Sequence, residues 1–217
     1  MRQLKPEVEK QLRRVDFEAG LSVVSTYPAR RVINSLISFY CHRDPLVRWR
    51  AVEATGRIVS RHAENDMESA RVIMRRFLWM LNDESGGIGW GVPEAMGEIL
   101  SLSDGLCDEY HRIFLSYIQP ACNFLEHPVL QRGLLWGIGR LAPKRSDVIR
   151  PMLPDIALFL TSEDPYHRAF AARIIGLAGH AASYPMIEEL SDDHAEIEIY
   201  EDSTVKTKTV AAISQSF

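Results

Sequence analysis

Glycine returns four times in the same helical setting, at Gly56, Gly97, Gly139 and Gly176, within RAVEATGRIV, GVPEAMGEIL, GLLWGIGRLA and FAARIIGLAG. The spacings are 41, 42 and 37 residues. Eleven positions before three of these glycines stands a proline that follows Asp or His, in Asp44-Pro45, His127-Pro128 and Asp164-Pro165. A period near forty with two helices per unit predicts a helical solenoid: each unit has one apolar face too many to fold alone and buries it on a neighbour. The expected class is all-α, an α-α superhelix of about four to five helix pairs.

Punctuation places the helices. An amphipathic segment over about 6–19 should end near Gly20, a usual glycine stop. Pro28 opens a helix to about residue 41, and Pro45 opens its partner to about residue 61, since the first helical turn tolerates a missing N–H. Asn65 with Glu68 has the form of an N-cap and its reciprocal acid, for a helix ending near Leu81. Further helices are expected at about 92–102, 105–125 with a kink at Pro120, 128–142, 148–160, 165–180 and 184–190. The chain, 1–217, thus reads as a single domain with units at about 22–62, 65–102, 105–142 and 148–180. Residues 184–217 supply a C-terminal helix, a β-hairpin and a short tail helix.

Asp-Pro followed by Arg (DPLVR at 44–48, DPYHR at 164–168), then an Ala-rich stretch and Gly-x-(Ile/Leu), resembles the HEAT-like repeat typified by the phycobilisome-lyase subgroup, an armadillo-like solenoid. The likeness spreads over about residues 22–190. It implies a HEAT-like solenoid in which the second helix of each pair lines the concave wall. It does not choose an activity, because that repeat serves scaffolds, chromophore lyases, metal hydroxylases and DNA glycosylases alike. Ala51, Ala54, Ala95 and Ala171 are then small residues that let helices pack closely, and the repeat glycines read the same way.

The end of the chain changes period. EIEIYE (196–201) and TVKTKT (204–209) alternate strictly around Asp202-Ser203, which predicts a small C-terminal β-hairpin. A lone hairpin is marginal in water, so its apolar face should lie on the last helices, capping the stack. The other reading is an exposed edge strand that pairs with a second copy to give a homodimer.

Positions seven and three before each repeat glycine, and one after it, are spaced i, i+4, i+8 and share a face. They read Trp49, Glu53, Arg57; Trp90, Glu94, Glu98; Arg132, Trp136, Arg140; and Ala169, Arg173, Leu177. Set side by side, these rows would make a concave patch of three Trp, three Glu and four Arg. Aromatic plates beside Arg forks and carboxylates suit a protein or small-ligand site. A salt-bridge ladder between repeats, with each Trp tucked on its neighbour, explains the same residues.

The second unit adds a notch at residues 86–98. Its helix is entered through SGGIGWGVPE, and Pro93 cannot continue a helix from upstream, so this helix starts about two turns late. Free N–H groups at the helix start, and Gly87 and Gly89, would allow close approach of a ligand. The candidate ligand-binding residues are therefore Trp90, Glu94, Glu98, Trp136 and Arg140, with Arg57 and Arg132 at the rim and Gly87 and Gly89 in the loop. Glu94 and Glu98, one turn apart, could serve as acid and base if the notch is dry, since like charges at that distance raise one pKa.

Composition narrows the chemistry. With 29 acidic against 25 basic side chains, nothing draws the chain to nucleic acid, although Trp90, Trp136 and Glu94 resemble the pairing of HEAT-like DNA glycosylases. The His-Glu pairs of the metal hydroxylases do not occur, Glu126-His127 being reversed and unrepeated, so no metal and no cofactor are expected. Cys41, Cys107 and Cys122 have no metal-type spacing and are an odd count. No apolar run approaches the roughly 20 residues of a membrane span. The opening MRQLKPEVEKQLRR is charged where a signal peptide is apolar, which points to the cytoplasm. The expected function is a binding or scaffold module for a protein or small ligand. An enzyme or lyase-like subunit acting on a small planar or anionic ligand in the notch is the alternative.

Overall fold

The computed structural model describes residues 4–82 and 89–217. Among them, every regular element before residue 193 is helical, and both strands come later. Two compact units are present, Met1–Asp108 with Tyr200–Val205, and Glu109–Ile199 with Lys206–Phe217.

The first unit begins with α1 (Leu4–Leu12) and α2 (Phe17–Val24) where one helix was expected. Asp16 makes the break by accepting the Ala19 N–H at 2.9 Å and capping α2. Gly20 lies inside α2 and does not stop it. A Cβ at Gly20 would stand 2.3 Å from the Gln11 carbonyl oxygen, so its role is to let α2 pass against α1. Next come α3 (Ala29–Ile37), α4 (Pro45–Ala63), α5 (Met67–Leu81) and α6 (Val92–Leu102). The cap of α5 is Asp66, one residue after the expected Asn65, and it accepts the Ser69 N–H at 3.0 Å. Val32 and Leu36 of α3, Val47, Ala51 and Val59 of α4, Met74 and Phe77 of α5, and Ala95, Met96 and Ile99 of α6 form the buried core.

The Asp-Pro and His-Pro pairs have a local cause. Asp44, His127 and Asp164 each accept a backbone N–H two residues on, at 3.0, 3.2 and 2.9 Å, while the proline takes the first helical turn. Each pair therefore writes the start of a second repeat helix.

The second unit takes the latter part of α7 (Asp104–Ser116), then α8 (Pro128–Leu141), α9 (Ser146–Ile149), α10 (Leu153–Ala157), α11 (Pro165–Leu177) and α12 (Met186–Glu189). The helix expected to run to residue 125 with a kink ends at Ser116 instead. Pro120 has no N–H to offer the Ser116 carbonyl, and the chain folds back until the Leu125 N–H reaches the Tyr117 oxygen at 3.1 Å. Pro151 and Pro154 likewise divide the span expected at 148–160 into α9, a 3-10 turn, α10 and a second 3-10 turn. The core of this unit is built by Leu134, Leu135, Ile138, Ile156, Ala171, Ile174 and Ile175.

β1 (Glu196–Glu201) pairs with β2 (Thr204–Thr209), followed by α13 (Val210–Ser214). Asp202 and Ser203, with φ of 51° and 56°, make the two-residue turn whose twist matches that of the strands. The expectation that the hairpin's apolar face rests on the last helices describes only its open end. There Ile197 and Ile199 are buried, and the Glu198 N–H donates to the Tyr166 hydroxyl of α11 at 3.2 Å. The turn, Tyr200–Val205, belongs to the first unit and packs on α4.

Candidate functional site

In the first unit α4 and α6 lie in close contact. A Cβ at Gly56 would stand 2.3 Å from Glu98 Cγ, and the Ser60 hydroxyl donates to the Ile99 carbonyl at 3.3 Å. The late start of α6 follows from Gly91, which caps the helix at φ 72°, with Pro93 in the first turn. Tyr40 fills the space over Gly91: a Cβ there would be 2.7 Å from Tyr40 Cβ. Gly89 is buried against its own chain, where a Cβ would meet Leu81 and the Met80 carbonyl oxygen at 3.1 Å. Gly87 lies outside the described residues. At Gly89 and Gly91 the glycines thus admit the protein's own neighbouring chain. Trp90, half-buried, sits between them.

Glu94 is the electrostatic centre of this turn. Its Oε2 exposes less than 1 Å² and has no hydrogen-bond partner among the described residues. Burial pushes its pKa up to about 7, opposed by its own backbone N–H and by the charge of Arg48. The expected cause, repulsion from Glu98, is not the operative one: desolvation raises the acid. Glu98 is itself buried, its stem laid on Gly56 and its charge acting on Arg57. Tyr40 does not neutralise Glu94. Its hydroxyl donates to Thr55 Oγ1 at 2.7 Å, and Thr55 donates onward to the Ala51 carbonyl at 2.8 Å. Burial, and then the Glu94 charge, raise the Tyr40 pKa well above the usual phenol value.

The Trp49–Glu53–Arg57 row is not an open patch. The Tyr200 ring stacks on Trp49, with centroids 5.5 Å apart and planes 5° from parallel. Tyr200 and Ser203 both donate hydroxyls to Glu53 Oε2, at 2.6 and 2.9 Å. Arg57 pairs with Glu18 and lies 3.6 Å from Glu53. Despite partial burial, these carboxylates raise its pKa above the ordinary arginine value.

In the second unit Arg132, Trp136 and Arg140 follow one face of α8. Arg132 Nε donates to Asp164 Oδ2 at 2.6 Å, and its guanidinium lies 4.5 Å over the Tyr166 ring. Trp136 is buried, with the Arg140 guanidinium 5.7 Å from its ring centroid. Arg132 therefore ties α8 to the cap of α11, as a ladder rung would. No cluster of three or more His, Cys, Asp or Glu side chains suited to a metal occurs among the described residues. No described helix is long and apolar enough to cross a membrane.

Sequence reasoning missed Tyr40, Thr55 and Arg48 around Glu94, and Arg50 behind the Trp49 row. Arg50 is buried and donates to the carbonyls of Leu12, Arg14 and Ser203 at 2.9, 2.6 and 3.2 Å. Its sequence signal was an arginine on an otherwise apolar face of α4.

No family model matches the chain. An uncharacterized protein of Archaeoglobus fulgidus is 29% identical over 122 residues, which is 56% of this chain and 58% of that protein. The chain thus spans less than two thirds of that relative's length. Among solved structures, an engineered protein superposes with a TM-score of 0.52 at 15% identity, covering 99% of this chain and 94% of its own. A computationally designed armadillo repeat protein for modular peptide recognition gives 0.50 at 14% identity, covering 98% and 97%. A designed armadillo repeat protein in complex with the peptide (KR)4 gives 0.50 at 15% identity, also covering 98% and 97%. Together with the helix pairs, these likenesses establish a HEAT/armadillo-like helical repeat fold.

Proposed function

We propose that this chain is a helical-repeat binding or scaffold module, and that the first turn of α6 takes a cationic side chain of a partner protein at Glu94. The observation that carries the reading is the buried Glu94 Oε2 without a partner among the described residues. A buried carboxylate is costly until a counter-charge meets it, so a Lys or Arg head group reaching this position would offset part of that cost. Trp90, half-buried four residues earlier in the chain, would offer an aromatic surface to such a cation. A designed repeat protein of this fold holds a (KR)4 peptide, which supports a basic peptide as the ligand class.

The test is selection of displayed random peptides on the immobilised chain, repeated with Glu94→Gln. Enriched peptides should carry Lys or Arg and should lose binding to the variant. Their association should release a proton near pH 7, because a cation drives the carboxyl, with its pKa of about 7, to ionise. Peptides without basic residues, or binding unchanged by Glu94→Gln, would remove the proposal. A second reading rests on the same acidity: a carboxyl titrating near neutrality suits general acid–base catalysis on a small ligand. It requires that a small substrate, in place of a peptide, be captured through Glu94.

A further inference from the structure

A second surface of the first unit, on the opposite members of the helix pairs, carries a different chemistry. Val72 and Trp79 of α5 are two helical turns apart on one face, 41% and 65% exposed, with Arg75 and Arg76 exposed between them. A tryptophan this exposed leaves most of a large apolar side chain in water, which is characteristic of a contact surface. α3 lies alongside: Arg30 Nε donates to Ser69 Oγ at 2.9 Å, and Arg76 donates to the Asn34 side chain. α3 adds the exposed Arg30 and Arg31 to this face. Together α3 and α5 hold five arginines, Arg30, Arg31, Arg71, Arg75 and Arg76, against one acid, Glu68, which pairs with Arg71 and Arg75 at 3.4 and 2.6 Å, in a chain of net charge −4. Arg31 and Asn34 also line a groove of about 850 Å³ together with Lys5, Glu7 and Tyr27, so the face adjoins a concavity of mixed charge.

We infer that the α3–α5 face is a docking surface for an acidic segment of a partner protein that places an apolar side chain on Trp79. Charge complementarity sets the sign of the partner. Arginine forks bind carboxylates bidentately, and a Trp with flanking arginines is the composition from which interface hot spots are drawn. The isolated apolar stripe separates this surface from a mere polyelectrolyte patch. Val72 and Trp79 add nothing to attraction for a phosphate backbone running past the arginines, whereas an aliphatic anchor between acids uses both. The surface is distinct from the Glu94 turn in residues and in the charge it selects.

The probe is a short peptide of repeated Glu-Glu-Leu, followed by the indole N–H resonances of the labelled protein, one for each of the four tryptophans. The Trp79 resonance should move saturably, and the Trp90 resonance should stay in place. Trp79→Ala should weaken binding at least about tenfold, as loss of a hot-spot tryptophan does. The exposed pair Arg31→Glu and Arg76→Glu should abolish it. Circular dichroism melts of each variant guard against unfolding, and Trp79→Gln provides a second variant if Trp79→Ala aggregates. Absence of saturable binding overturns the inference. So does equal affinity for poly-glutamate lacking leucine, or tighter binding of single-stranded DNA with loss of the Trp79 dependence.

Discussion

Tyr200 donates its phenolic proton to Glu53 Oε2 at 2.6 Å across 147 residues of sequence. Ser203 supplies a second hydroxyl to the same oxygen, and Trp49 stacks on the Tyr200 ring. The face of α4 that looked like a vacant ligand row is thus filled by the chain's own hairpin turn. Burial, reinforced by the Glu53 charge, raises the Tyr200 pKa far above that of free phenol, so the donor stays protonated. Tyr200→Phe keeps the stacked ring and removes one donor from a mostly buried carboxylate. The expected loss is about 1–3 kcal/mol in urea unfolding, with faster amide exchange around the turn. Unchanged exchange at residues 202–205 would mean that the hydroxyl does not hold the hairpin.

Arg50 fastens the same turn from behind. Its guanidinium satisfies the Leu12, Arg14 and Ser203 carbonyls and lies 4.9 Å from the Phe17 ring centroid. Lysine keeps the charge but cannot reproduce a planar fork reaching three carbonyls. Arg50→Lys should cost about 1.5–3 kcal/mol, the range for hydrogen bonds to a charged group. A double-mutant cycle with Tyr200→Phe should show coupling, because both side chains act on the hairpin turn. Strict additivity would contradict that shared role.

The repeat glycines separate into different kinds, and Gly→Ala substitution reads the difference. At Gly56 the added methyl would meet Glu98 Cγ at 2.3 Å and Cβ at 2.9 Å, close to the backbone of α6. Overpacking of about 1–3 kcal/mol should outweigh the gain of up to about 1 kcal/mol in helix propensity. At Gly139 the nearest atom, Ile174 Cγ1, would be at 3.7 Å, an ordinary contact. Gly139→Ala should therefore stabilise the protein by a few tenths to about 1 kcal/mol. Thermal melts moving in opposite directions are the expected pattern; two destabilised variants would place Gly139 at a tight crossing as well.

What the sequence disclosed follows from how local each cause is. Asp44-Pro45 and Asp164-Pro165 were readable because cap and proline act within four residues. The hairpin was readable because strict alternation and Asp202-Ser203 specify strand and turn together. The break between α1 and α2 was hidden, since Asp16 as a cap and Gly20 as a stop both fit the same amphipathic run. Glu53 read as part of a concave row with Trp49 and Arg57 because its donors, Tyr200 and Ser203, are remote in sequence. Glu94 and Glu98 read as an acid and base pair one turn apart, coupled by their mutual repulsion, whereas burial is what raises Glu94. Glu98 lies against Gly56 of α4 and the Glu94 charge reaches Tyr40, neighbours that no spacing on α6 announces.

Glu94 makes stability depend on pH with a definite sign. Its carboxyl titrates near 7 in the folded chain against an ordinary value of 4.5. Below about pH 4.5 both folded and unfolded chains hold the proton, and burial of the neutral acid carries no charge penalty. As pH rises from 4.5 toward 7 the unfolded chain releases its proton first, so folding stability falls across that window. The full gap corresponds to about 3 kcal/mol, complete above pH 7. Glu94→Gln preserves shape and abolishes the titration. The variant should therefore gain on the native chain by up to about 3 kcal/mol between pH 5 and pH 8. Urea unfolding of both proteins at those two pH values isolates this group, because every other titration cancels in the difference. A saturating Lys- or Arg-bearing peptide should then reverse the trend for the native chain alone, by stabilising the ionised carboxylate. Parallel stability profiles for the two proteins would show that Glu94 is solvated after all, and the cation site at α6 would fall with it.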